Sequence, residues 1–135
     1  MQPRRTKYKK YYKPREFGKT LTRLKTLKPE SNLELLSLEP SYINGKQIEA
    51  ARQTIRRKLK KKGLLTILVY PNLGVSKKPI SARMGKGKGK TQYWITRIKP
   101  GASIFRLSGI ILKEGIAALK EGANKLPLRV KLIRV

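Results

Sequence analysis

Arg83-Met84-Gly85-Lys86-Gly87-Lys88-Gly89-Lys90 alternates three glycines with lysines and contains no acid. It lies between two β-rich stretches, Leu64 to Tyr70 and Tyr93 to Lys99, so it reads as the tip of a strand–loop–strand unit. Glycine accepts positive φ at little cost and lets the backbone approach another surface closely. Each lysine between them adds a compact charge with three donors. Two readings follow, a mobile solvated loop or a cationic finger that lies against phosphates.

The flanks favour rigid elements at the base of this loop. Leu64 to Tyr70 is aliphatic and β-branched, ends at Pro71, and is expected as a central strand. The connection from Asn72 to Gln92 carries Lys77, Lys78, Arg83, Lys86, Lys88 and Lys90 and no acid. Structureless connections of that length are uncommon in compact domains and tend to be functional. The alternation from Tyr93 to Lys99 predicts the return strand. Pro100-Gly101 predicts a turn, and Ile104 to Leu107 a further strand.

Further out, Asn44 is placed to cap a helix, with Gln47 completing a capping box. Ile48, Ala51, Ile55 and Leu59 form one helical stripe that Gly63 ends, and Arg52, Arg56, Arg57, Lys58 and Lys60 cover much of the remainder. A charged helix face is often only solvated. Here almost no acids are available to pair with it, which favours a phosphate partner. Leu112, Ile116, Leu119, Ala123 and Leu126 predict a second helix over 113–124, stopped by Pro127. Strands are expected at 33–38 and 128–132. The predicted fold is α+β: an antiparallel sheet packed against two helices, with an extended basic N-terminal tail and a long Gly/Lys loop.

Residues 1–28 form that tail, and 29–135 a single α+β domain. In the tail Arg4, Arg5, Lys7, Lys9, Lys10, Lys13 and Arg15 are interleaved with Tyr8, Tyr11 and Tyr12, and only Glu16 opposes the charge. Like charges at this density oppose an independent fold. Aromatics among them suit stacking on bases.

Over the whole chain, 34 Lys and Arg face 7 Glu and no Asp, a net charge of +27. Self-repulsion of this size calls for a polyanion, and nucleic acid is the first candidate because phosphate contacts release condensed counterions. Cys and His are both absent, which removes thiol chemistry, the usual zinc ligands and the commonest general base. No enzyme, metal or cofactor is expected. No apolar run approaches the ~20 residues of a membrane-spanning helix. The helix over 46–62 lacks the Trp or Phe that would anchor it on a bilayer surface.

Gly89-Lys90-Thr91 invites a nucleotide-binding P-loop, but position 84, where that motif needs glycine, is Met84. The segment also leads into a strand rather than a helix.

These motifs resemble the L-sixteen family of large-subunit ribosomal proteins in its bacterial and organellar form. The resemblance is carried by Pro3-Arg4-Arg5-Thr6-Lys7-Tyr8, Leu38-Glu39-Pro40, Gln47-Ile48-Glu49-Ala50-Ala51-Arg52, the Arg83 to Gly89 block with Tyr93-Trp94, Lys99-Pro100-Gly101 and Lys125-Leu126-Pro127. The stretch 64–70 departs from it, with Thr66 and Leu68 where the family commonly has Trp and a basic residue. The resemblance implies a structural constituent of the large subunit that supports placement of aminoacyl-tRNA near the peptidyl transferase centre. The alternative from composition is a free-standing basic RNA-binding or chaperone module. The implied rRNA contacts are Arg4, Arg5, Lys7, Lys9, Lys10, Lys13, Arg15, Arg52, Arg56, Arg57 and Lys60. The loop Arg83, Met84, Gly85, Lys86, Gly87, Lys88, Gly89 and Lys90 would face rRNA and tRNA. Implied partners are large-subunit rRNA, aminoacyl-site tRNA and neighbouring ribosomal proteins, with no membrane and no homo-oligomer. The match starts within the first residues, so no presequence is expected. Lysine-rich usage then points to an organelle-encoded protein of the mitochondrial matrix, with a plastid or the bacterial cytoplasm as alternatives.

Overall fold

The strand β1 (Leu33–Ser37) sits at the centre of the architecture, hydrogen-bonded on both sides. In the computed structural model, which describes residues 1–8, 10–13, 32–60 and 62–134, the order continues with β2 (Ser41–Asn44), α1 (Gly45–Lys58), β3 (Leu64–Ile67) and β4 (Leu73–Lys77). It closes with β5 (Lys90–Ile98), β6 (Ser103–Ser108), α2 (Leu112–Ala123) and β7 (Val130–Arg134). The expected single sheet is two antiparallel sheets, a four-stranded one in the order β3-β6-β1-β7 and a three-stranded one in the order β2-β5-β4.

The α+β class and both helices stand as expected, and several details differ. The stretch 64–70 is not central: only Leu64–Ile67 is strand, and it forms the edge of the larger sheet. Its outward side chains, Leu64 and Thr66, are exposed, so the continuous apolar run is half-buried rather than enclosed. The connection 72–92 is not structureless. β4 occupies its first part and β5 begins at Lys90, which leaves 78–89 as the loop. β4 was hidden because it is short, with only Leu73 and Val75 apolar, and Gly74 and Ser76 read as loop-forming residues. β2 ends on the helix cap Asn44 and was too short to stand out, and the last strand lies at 130–134, not 128–132.

Asn44 caps α1 as expected: its side chain accepts from the Lys46 N–H at 3.3 Å, and Gln47 Oε1 accepts from the Asn44 N–H at 2.9 Å. Ile48, Ala51 and Ile55 are fully buried and meet Ile43, Ile98, Phe105, Leu107 and Leu119 in one core. Each Ile or Leu side chain among them contributes roughly 1.5–3 kcal/mol when enclosed. α2 has no side-chain cap, and Glu114 in its first turn complements the helix dipole. Two glycines on α2 let it close on its neighbours. A Cβ at Gly115 would lie 2.6 Å from Leu33 Cδ1, and one at Gly122 would lie 2.4 Å from Ile55 Cγ1. α2 therefore lies on β1 and against α1 at once.

Candidate nucleic-acid interface

β4 and β5 form a hairpin whose tip is the glycine–lysine loop, and β2 braces the other side of β5. At the base of the loop the backbone is tightly packed: a Cβ on Gly89 would fall 2.3 Å from the Lys77 carbonyl oxygen. At the tip the opposite holds. Gly85 and Gly87 take φ of 93° and 76°, and among the described residues nothing lies within 4 Å of where their Cβ atoms would be. The two kinds of glycine therefore serve different ends, close approach at the base and left-handed turns at the tip.

The loop cations also divide. Arg83, Lys86 and Lys90 are exposed. Lys88 is half-buried and tied to the N-terminal tail. Its Nζ donates to the Tyr11 carbonyl and lies 3.9 Å from the Tyr12 ring centroid, while Lys10 Nζ donates to the Lys88 carbonyl. Tyr11 continues the brace by meeting Trp94 of β5 edge-on at 6.3 Å, and Tyr8 meets Tyr11 at 6.1 Å. Lys13 Nζ lies 4.3 Å from the Tyr42 ring on β2. At its start the tail reaches α1, where a Cβ on Gly45 would lie 2.8 Å from the Met1 carbonyl oxygen. Composition did not announce this latch, because lysine–carbonyl contacts between distant segments leave no spacing signal.

The remaining sequence-derived candidates scatter over the surface. Arg4, Arg5, Lys7, Lys10 and Lys13 are exposed; Lys9 and Arg15 lie outside the described residues. On α1, Arg52 is half-buried and engaged with Glu49 at 2.6 Å. The Arg52 hydrogen bond, ahead of the neighbouring charges, holds the Glu49 carboxyl below its ordinary range against a small desolvation penalty. Arg56 donates to the Gly63 carbonyl at 3.2 Å, whereas Arg57 and Lys60 stand in solvent. Two of the four helix candidates thus already have partners within the chain.

Four ion pairs join described residues: Arg52–Glu49, Lys58–Glu121, Arg106–Glu34 and Arg129–Glu39. Among the described residues, most other lysines and arginines are exposed at the surface. Lys10, Lys77, Lys78, Lys88 and Lys90 line a shared open groove beside the hairpin. Such a surface can neutralise a phosphate backbone; among the described residues, no three His, Cys, Asp or Glu gather to hold a metal. Among those residues, too, no helix is long and apolar enough to cross a membrane.

A family model described as ribosomal protein L16p/L10e matches residues 3–133. The chain is 42% identical over 134 residues to a large ribosomal subunit protein uL16 of Pelagibacter ubique, covering 99% of this chain and 97% of that protein. It is 39% identical over 139 residues to the uL16 of Mesorhizobium japonicum, covering 99% and 96%. To the uL16 of Acidiphilium cryptum it is 41% identical over 140 residues, covering 98% and 95%.

Proposed function

The chain belongs to the ribosomal protein L16p/L10e family, and on that premise we propose that it is a structural constituent of the large ribosomal subunit whose hairpin finger supports aminoacyl-tRNA. It binds large-subunit rRNA and neighbouring ribosomal proteins. The finer reading gives the exposed Arg83, Lys86 and Lys90 to rRNA and to the tRNA acceptor arm. Lys88 holds the finger's base instead. One observation carries this: the open tip at Gly85 and Gly87 stands on a base fixed at Gly89 and by the tail. The role is electrostatic support, with the basic tail 1–28 and the domain 29–135 both lying against rRNA, one copy per subunit.

The test replaces Arg83, Lys86 and Lys90 together with Ala. The variant should still sediment with large subunits after a high-salt wash and should accommodate aminoacyl-tRNA poorly; unchanged accommodation removes the finger's role. Release of the parent chain into the soluble pool by that wash would favour the free-standing RNA-binding module.

For the compartment we take the mitochondrial matrix. Lysine-rich usage supports it, whereas the relatives named above are bacterial. Finding the gene in a bacterial genome would overturn that reading and leave the ribosomal one intact.

A further inference from the structure

From Leu64 to Ser76 thirteen consecutive residues carry no charge, in a chain whose net charge is +27. The run begins with β3, which has β6 on one side and, among the described residues, no strand on the other. Its side chains alternate. Leu65, Ile67 and Val69 pack on the core, while Leu64, Leu68 and Tyr70 point out at 63%, 40% and 50% exposure. The Leu68 N–H donates to the Ile104 carbonyl at 3.0 Å. By antiparallel alternation, the backbone groups of Leu65 and Ile67 then face the open edge. Ile110 lies against Gly63, bringing the exposed Ile111 to the same end of the stripe.

Natural edge strands are commonly shielded by lysine, and β3 carries none, although Lys and Arg make up 34 of the 135 residues. An exposed apolar stripe beside open backbone groups is a ready template for pairing with another strand. It brings no cation to a phosphate backbone, from which nucleic-acid affinity mainly comes. We infer that the β3 edge is a protein-docking surface, and that its occupant is an extended, largely uncharged segment of another large-subunit protein added as a strand. Main-chain bonds to Leu65 and Ile67 supply the affinity, and apolar side chains against Leu64, Leu68 and Tyr70 supply the choice of partner. The inference rests on the ribosomal reading above.

The experiment places photoreactive benzoylphenylalanine at position 64 or 68 of the full chain, assembles it into large subunits in cells, and irradiates the purified subunits. The expected product, after nuclease digestion, is this chain joined to one other protein. The double substitution Leu64→Lys, Leu68→Lys should leave the melting temperature of the isolated chain within about 2 °C, because both side chains are exposed. It should also deplete that protein from purified subunits several-fold. Adducts to RNA, adducts within the chain, or no adduct in subunits that contain the chain would overturn this inference alone. A chain absent from large subunits altogether would overturn the ribosomal reading and this inference with it.

Discussion

Glu34 on β1 and Arg106 on β6 stand directly opposite each other, with Arg106 Nε donating to Glu34 Oε1 at 2.7 Å. Ser103 donates to the other carboxylate oxygen. Glu34 is only 4% exposed, so this acid is spent inside the sheet while most cations face out. A buried carboxylate is tolerable only with such partners.

Glu34→Gln keeps the shape and loses the charge opposite a half-buried guanidinium. It should lower stability by about 1–2 kcal/mol, the scale of a charge-assisted hydrogen bond. Urea denaturation of the full chain in sulfate buffer reads it. Stability equal to the parent would show that the pair contributes nothing net.

Gly89→Ala and Gly87→Ala should separate the two uses of glycine in the loop. A methyl group at position 89 collides with the Lys77 backbone, so the hairpin base must open, at a cost of about 1–3 kcal/mol. At position 87 the described residues leave space, and the φ of 76° is the obstacle, costing about 1 kcal/mol. Amide exchange of β4 and β5 should rise for the first variant and stay near the parent for the second.

Lys88→Met removes the donor to the Tyr11 carbonyl and keeps the length of the side chain. The tail should loosen from the hairpin. Chymotrypsin should then cut after Tyr11 and Tyr12 several-fold faster, with the core strands still protected. An unchanged cleavage rate would mean that the tail's other contacts, among them Tyr11 on Trp94 and Lys10 on the Lys88 carbonyl, hold it without this bond.

Glu49 sets an expected pH dependence. Its carboxyl is held below the ordinary value of 4.5, chiefly by the Arg52 hydrogen bond. A depressed folded-state value stabilises the fold above that ordinary value, and the gain is lost as pH falls through the lowered one. Glu49→Gln should therefore melt on the order of 1–2 °C lower than the parent at neutral pH, a small gap because both partners are partly exposed. The gap should close in acid. A gap that widens in acid would give the pair the wrong sign.

The helices were the most legible part of the chain. α1 combines a capping box with a stripe at helical spacing, and both signals are local. Sheet membership was less legible, because pairing depends on distant partners. Leu64 to Tyr70 has the composition of an enclosed strand, and only the register with β6 shows it to be an edge. β4 was hidden by Gly74, whose missing Cβ makes room for Thr91 and Trp94. At the candidate interface, the Arg83 to Lys90 block was plain from composition. The division of its cations was not, since Lys88 differs from Lys86 only in what the tail brings to it.

The position of β1 between β6 and β7 has a consequence for how the chain is made. Its partners arrive some 70 to 100 residues later, Leu35 pairing with Phe105 on one side and Leu132 on the other. On a translating ribosome the larger sheet must wait for synthesis to be nearly complete, and closing such long loops is slow. Meanwhile the cationic N-terminal segment is already outside and able to engage a polyanion, so a nascent copy is at risk of premature capture before its sheet can zip shut.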